Sequence, residues 1–505
     1  MTTAVVHDAT APTAGPAALV AGLAAGSARF DVWVLGTFSA GLVHVLIFGW
    51  VYPHHRFDTD LMAYLVYFRN WLTHDPSLFD VRYFMHPKPL LVFAFGPLAS
   101  ASAAFYCTAV ASAGLSSLVY VISRDQFGRS TALLVSAFLL LDPSKAFLSL
   151  KSSADLYVAL FLFASVWLCE RRRLLPAAGC LLLGALVKPV MLPCAAYFLT
   201  VSGAGRRRWL AAVIPLLAVP LTLWSNQALL GSAHGADRFF EEFAVLRGGD
   251  SVGPDSVLHF ALWTQLVKQR FATTAAWGMI GLLLWLAGDR RRLTSPLLLM
   301  PLLFLLGYFA LSLMSRFMPF YRFFWPLEVW FLMFVVYGVV EGARRVADSR
   351  RWLFLAIAGA AFCLLADGDI QRQLRHQRNL IDTFEHGMGF AIAAEPVLRA
   401  QRSESDRVLA PLGLLPYLMW EFPDAGRSRI DSAERFALDG ETNPPDWILH
   451  IPELYASDAA QEVLPALIDS GLYEVRLSDG QAALLVRTAR NAPAGRRSDV
   501  PVATQ

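Results

Sequence analysis

The chain has 505 residues, of which 56% are hydrophobic and 16% charged, with a net charge of +3. Soluble proteins carry about 25% charged residues, so this composition, with a mean hydropathy of +0.46, argues against an ordinary soluble domain. The small net charge gives no footing for nucleic acid as a partner. Apolar residues come in blocks of about 15 to 30, enough to cross a hydrocarbon core about 30 Å thick, so the chain reads as a polytopic α-helical membrane protein.

Residues 1–30 are rich in Ala, Gly, Thr and Pro and lack a basic stretch before the weak apolar run Ala17 to Ala25. They read as a disordered cytoplasmic tail, without the pattern of a cleaved signal peptide. The first span covers 31–52. Further apolar runs at 100–122, 130–147, 153–169, 174–187, 189–204, 209–230, 272–288, 294–314, 323–341 and 352–366 bring the expected total to about eleven. The clusters Arg124/Arg129, Arg171–Arg173, Arg206–Arg208, Arg290–Arg292 and Arg344/Arg345/Arg350/Arg351 each follow an even-numbered span. Short cytoplasmic loops are enriched in Lys and Arg, which places the N-terminus inside and the loops 53–99 and 231–271 outside. Reading 174–204 as one span would put two of these clusters on opposite faces. A pair of short spans broken near Lys188-Pro189 is therefore expected, proline lacking the N–H that a helix interior needs.

The membrane region 31–366 is followed by a charged connecting helix, 367–403, and an extracytoplasmic α/β domain, 404–490. That domain is expected to contain strands at Arg407–Ala410 and Trp447–His450, helices around Leu412–Trp420 and Ala459–Ser470, and a hairpin. The hairpin strands Tyr473–Leu477 and Ala482–Arg487 flank Ser478-Asp479-Gly480-Gln481, and the Asp-Gly pair suits a tight turn. Residues 491–505 read as a disordered tail. All five cysteines lie in apolar segments, where a thiol behaves as a small hydrophobe, and no disulfide or zinc spacing is visible.

The first external loop holds the densest chemistry. Asp58 and Asp60 follow the first span directly, and Tyr64, Tyr67 and Trp71 share a face with Asp60 on an amphipathic helix running to about His74. An acid aligned with aromatic rings suits a sugar and a proton acceptor; the plainer alternative is that an Asp here caps the helix. His86-Pro87-Lys88 follows, His86 being a candidate hydrogen-bond donor. Asp155, after Lys151-Ser152-Ser153, is a further candidate acid at the mouth of the fourth span, or an interfacial residue without a role. Lys88, Lys188, Arg316 and Arg322, with Tyr321 beside the last, are placed to meet a phosphate at headgroup depth, the alternative being snorkelling. Asp142 before Pro143 reads as a helix terminus, Glu328 as a buried structural or pathway acid, and His54-His55 as a weak metal candidate.

An acidic motif after the first span, a helix lying along the membrane and the Lys88-Pro89-Leu90-Leu91 signature together resemble the GT-C glycosyltransferases. More narrowly, they resemble bacterial members related to protein O-mannosyltransferases and aminoarabinose transferases. The family's Asp-Glu-x-x-Tyr pattern is met by Asp60 and Tyr64, with Leu61 where an acid is usual, which leaves the catalytic choice between Asp58 and Asp60 open. Leu412–Tyr417 and Arg429-Ile430-Asp431 also look like segments of such proteins.

The resemblance implies a multi-pass enzyme of the bacterial inner membrane that transfers a hexosyl or pentosyl group with inversion. The donor would be a polyprenyl-phosphate sugar and the acceptor an extracytoplasmic glycan, lipid or protein. External acids fit this, since nucleotide sugars are cytoplasmic. A divalent ion (Mg or Mn) bridging Asp58 or Asp60 to phosphate is an alternative to direct base catalysis. The rivals are a secondary transporter, which would also show broken helices and intramembrane charge, and a non-catalytic protein that binds or assembles lipid-linked glycans. The absence of repeated halves and the extra α/β domain weigh against transport. The default role of that domain is acceptor positioning or partner contact.

Overall fold

The computed structural model describes residues 31–73, 88–201, 205–231, 272–313, 324–346, 351–365, 368–423, 430–438, 440, 443–455 and 458–488. Asp31 opens the first helix, α1 (Val32–Val51), by accepting the Trp33 N–H at 3.1 Å, which satisfies a donor that every helix start leaves over. The outward side chains of α1 are apolar, Trp50 being 82% exposed. That is stable only with lipid as the neighbouring solvent.

The membrane region continues with α2 (Thr59–Thr73), α3 (Pro89–Phe95), α4 (Ala101–Phe127), α5 (Arg129–Leu141), α6 (Pro143–Leu150), α7 (Ala154–Glu170) and α8 (Leu174–Val187). After a 3₁₀ segment, Pro189–Ala196, come α9 (Tyr197–Thr200), α10 (Arg206–Val213), α11 (Ala218–Leu230), α12 (Ala272–Gly288), α13 (Pro296–Leu313), α14 (Trp325–Val346) and α15 (Arg351–Leu365). The described parts of the apolar runs expected from the sequence are mainly helical, but 130–147 breaks at Asp142 and Pro189–Ala196 is a 3₁₀ segment. Among the described residues, five helices (Val32–Val51, Ala101–Phe127, Arg206–Leu230, Arg290–Ala310 and Trp325–Val346) are long and apolar enough to cross a membrane. The pair α5 and α6, bent by 58°, makes a sixth if counted as one span. The chain is a multi-pass membrane protein.

The remaining apolar helices are shorter than a bilayer, and proline explains where one of them, α8, stops. Lys188 leaves α8 in extended conformation (φ −145°, ψ 122°) and Pro189 starts the 3₁₀ segment, so the expected break falls where the sequence puts it. Close packing in the bundle relies on small residues. At the crossing of α12 and α14, a Cβ added to Gly281 would lie 1.9 Å from the Phe334 carbonyl oxygen.

Polar contacts separate the two ends of the bundle. At one end Arg124 pairs with Asp31 at 2.9 Å, Arg171 with Asp125 at 3.3 Å, and Ser295 donates to Glu170 at 2.8 Å. The arginine clusters that end α4 and α7 therefore gather with the start of α1. The loop holding Asp58 and the small domain lie at the opposite end.

The long helix α16 (Gly368–Gln401) leads into that domain, which is built from β1 (Val408–Ala410), α17 (Leu415–Glu421), β2 (Ile430–Ser432), α18 (Ala433–Leu438), β3 (Trp447–His450), α19 (Asp458–Asp469), β4 (Tyr473–Ser478) and β5 (Ala483–Arg487). The sheet order is β2-β1-β3-β5-β4, with β1 parallel to β2 and β3, and β5 antiparallel to β3 and β4. β2 and α18 are the elements the sequence did not announce, because three and six residues are too few to show a strand or helix period. The expected hairpin turn forms: Asp479 Oδ1 accepts the Gln481 and Ala482 N–H groups at 3.0 and 2.8 Å, and Gly480 takes φ +93°, a left-handed conformation open to glycine.

One hydrophobic core runs from the bundle through α2 into the inner side of the sheet, joining Leu61 and Tyr64 to Leu415, Leu418, Trp447 and Leu484. This corrects the amphipathic expectation for α2. Leu61 to Tyr67 are each at most 1% exposed, because α17 covers the side of α2 that faces away from the bundle.

Candidate active site

The turn after α1 is fixed by its backbone. Pro53–Phe57 forms a 3₁₀ turn with Pro at its start, and the Asp58 N–H donates to the His55 carbonyl at 3.0 Å. Asp58 then leaves the helical region (φ −55°, ψ 145°). Its Oδ1 accepts the Asp60 N–H at 3.1 Å, and its carbonyl accepts the Met62 N–H at 2.9 Å, so Asp58 does cap α2. Capping occupies one carboxylate oxygen; the other, Oδ2, lies 3.2 Å from Lys151 Nζ. Asp58 and Asp60 are both buried, at 1% and 4% exposure.

Lys151 is delivered by a tight corner between α6 and α7. Lys151 and Ser153 donate backbone bonds to Phe147 and Leu148, and Ser152 between them takes φ +48°. A non-glycine residue in that region costs about 1–2 kcal/mol. Thr108 Oγ1, 3.0 Å from Ser152 Oγ, helps hold the corner. Burial pushes the Asp58 carboxyl above its usual range; the Lys151 ammonium opposes this and the neighbouring Asp60 carboxylate reinforces it.

Asp155 sits in the first turn of α7. Ser153 Oγ accepts its N–H at 3.3 Å and donates to its Oδ2 at 3.2 Å, while Lys188 Nζ pairs with Oδ1. The break before Pro189 therefore places Lys188 on a carboxylate. Lys88 Nζ lies 5.4 Å from the Tyr64 ring centroid. From Tyr64 a chain of contacts runs through Phe95 (6.3 Å) and Tyr157 (5.8 Å) to Thr108 (2.8 Å) and so to the Lys151 corner. Asp58, Asp60, Tyr64, Lys88, Asp155 and Lys188 are thus brought into one region. Tyr67 is buried in the same helix. His86, Arg316, Tyr321 and Arg322 lie outside the described residues.

The other candidates take structural positions. Asp142 caps α6 through the Ser144 N–H at 2.8 Å and accepts Trp325 Nε1 at 2.7 Å, the terminus role expected of it. Glu328 is half-buried in the first turn of α14. His54 and His55 both meet Glu385 of α16, at 2.9 and 3.2 Å, and among the described residues no group of three His, Cys, Asp or Glu side chains is placed to hold a metal. Sequence reasoning missed Lys151 and Glu385. Lys151 carried a signal, being a lysine four residues before Asp155; Glu385 carried none, being one charge among many on a polar helix.

Chemically, the region offers a buried carboxylate able to accept a proton and several ammonium groups able to meet an anion, walled by aromatic rings. No protein-family model matches this sequence, and no curated protein matches it. The chain is similar to ArnT from Cupriavidus metallidurans in two crystal structures. The structure bound to undecaprenyl phosphate is 12% identical, with a TM-score of 0.43, covering 92% of this chain and 100% of that one. The apo structure is also 12% identical, with a TM-score of 0.45, covering 90% of this chain and 97% of that one.

Proposed function

We propose that the chain is a glycosyltransferase of the bacterial inner membrane. It would move a hexosyl or pentosyl group from a polyprenyl-phosphate donor to a glycan, lipid or protein acceptor on the extracytoplasmic side. The observation that carries this is Asp58, buried at the end of the first span, with Lys151 at 3.2 Å and Lys88 over the Tyr64 ring nearby. A carboxylate with its range raised by burial is a better base at neutral pH than a free one, and the surrounding ammonium groups suit a phosphate. The separation of the arginine clusters from this site supports an extracytoplasmic location under the bias of cytoplasmic loops toward Lys and Arg.

In the proposed reaction the acceptor hydroxyl oxygen attacks the anomeric carbon and its proton passes to Asp58 or Asp60. The bond from the anomeric carbon to the phosphate oxygen breaks with inversion, and polyprenyl phosphate leaves with the electron pair. Lys88 and Lys151 would stabilise its charge, with the expected help of His86, Arg316, Tyr321 and Arg322. Asp155 would keep Lys188 oriented at the broken helix. The donors at Asp58 suit an ammonium-compensated carboxylate better than a divalent ion: one oxygen accepts a backbone N–H and the other faces Lys151. No step is therefore routed through a metal.

The test is transfer of labelled sugar from a defined polyprenyl-phosphate sugar by the purified protein and by the double variant Asp58→Asn/Asp60→Asn. The double variant should fold and lose transfer; an active double variant would overturn the proposal.

A further inference from the structure

Glu385 lies about 330 residues from the catalytic loop in sequence, on α16, yet three groups of that loop converge on it. The His54 N–H donates to its two carboxylate oxygens at 3.1 and 3.2 Å, the His54 ring is 2.9 Å away, and His55 Nδ1 is 3.2 Å away. His55 is fully buried, with Phe384 edge-on against its ring at 5.0 Å. The His55 carbonyl in turn accepts the Asp58 N–H. The neighbouring Phe384 also faces the other half of the site, its ring centroid 5.5 Å from Lys151 Nζ.

On the opposite flank, Thr59 Oγ1 donates to the Gly413 carbonyl at 2.6 Å and Phe57 packs edge-on against Tyr417 at 5.6 Å. The turn carrying Asp58 is therefore gripped from both sides by the region after the last apolar helix: α16 on one side, the start of the α/β domain on the other. The grip on the α16 side is through backbone as well as side chain, so it fixes where the turn lies and not only which ring it shows.

We infer that Glu385 is a positioning residue for the reaction: by pinning the His54–His55 turn it sets Asp58 in register with Lys151, and α16 thereby makes the soluble region a working part of the membrane site. The inference rests on the glycosyl-transfer reading for its kinetic arm and on hydrogen exchange for an arm independent of that reading. Glu385 touches no reacting atom; it acts through His55 and Asp58.

The experiment compares the full-length wild type with Glu385→Ala and Glu385→Gln, normalised to folded, monodisperse protein. Gln keeps an acceptor for the His54 N–H, whereas Ala keeps none. Expected for Ala is a fall in kcat of about 30-fold or more with donor KM within about twofold, and for Gln a fall within about threefold. With Asp58 out of register with Lys151, and still beside Asp60 and His55, the acidic limb of the Ala variant's pH profile moves to higher pH. A role in stability alone would lower the whole profile without moving that limb, and would overturn the inference.

Amide exchange at Asp58 and Asp60 should quicken in the Ala variant while exchange in β1 and β3 stays as in wild type. Unchanged exchange at Asp58 and Asp60 would overturn positioning. Absence of transfer by the wild type would overturn the glycosyl-transfer reading alone, and positioning would then stand or fall by the exchange result.

Discussion

Lys151→Met removes the ammonium that sits 3.2 Å from Asp58 Oδ2 and leaves the rest of the loop in place. At an effective dielectric of about 20, two unit charges at that separation interact by about 5 kcal/mol. The Lys151 side chain is 22% exposed, and screening by solvent brings a realistic figure to about 2–3 kcal/mol. Because the Lys151 ammonium opposes the effect of burial on Asp58, its loss pushes the Asp58 carboxyl further above its usual range. Asp58 must be ionised to accept a proton, so the acidic limb of kcat should move to higher pH, with activity recovering at the alkaline end. The assay is initial-rate transfer of labelled sugar over a pH series at saturating donor, with donor KM measured separately, because Lys151 is also a proposed phosphate contact. An unmoved limb, or a loss equal at every pH, would refute the electrostatic coupling of Lys151 to Asp58.

Asp58→Asn should cost transfer about 10²–10⁴-fold, the usual contribution of a general base, and more than Asp60→Asn does. Thermal unfolding should show little change, since Asn caps a helix as well as Asp; equal activity in the two single variants would remove Asp58 from the base role. Gly281→Val should destabilise the protein in detergent by about 1–3 kcal/mol or more, because the added carbon meets the Phe334 carbonyl on α14; wild-type unfolding would deny the close crossing. Partial burial works against it, but the hydrogen bonds from His55 and the His54 N–H hold the Glu385 carboxyl below its ordinary value of 4.5. A depressed carboxyl contributes stability that is present above its ordinary value and lost as pH falls through the depressed one. Melting temperature should therefore drop on acidification into that window in wild type and change less in Glu385→Gln.

Much of the architecture is legible in the sequence. Apolar blocks and proline placed the helices and the Lys188-Pro189 break, since bilayer thickness and the missing proline N–H act locally. The hairpin at Ser478–Gln481 was legible for the same reason. What escaped depends on distant segments meeting. The burial of α2 on all sides is set by α17, about 350 residues away, and a helix with polar residues on one side gives no hint that another domain will cover them. β2 and α18 were too short to show a pattern.

At the site, Asp58, Asp60, Tyr64 and Lys88 stood out because they crowd one loop. The helix break marks Lys188 in the sequence, but its Asp155 partner comes from another helix. Lys151 and Glu385 acquire meaning only when the α6–α7 corner and α16 are brought to the first loop. Asp58 caps α2 with one oxygen while the other faces Lys151, so the capping role its position suggests does not occupy the whole carboxylate.

The most direct measurement is a transfer assay in proteoliposomes loaded with a radiolabelled polyprenyl-phosphate sugar and supplied with envelope acceptors. Glycosyl transfer predicts label covalently joined to acceptor with an equal amount of polyprenyl phosphate released, and none from the Asp58→Asn/Asp60→Asn protein. Label that crosses the bilayer, or stays bound to the protein, without a new glycosidic bond would contradict it.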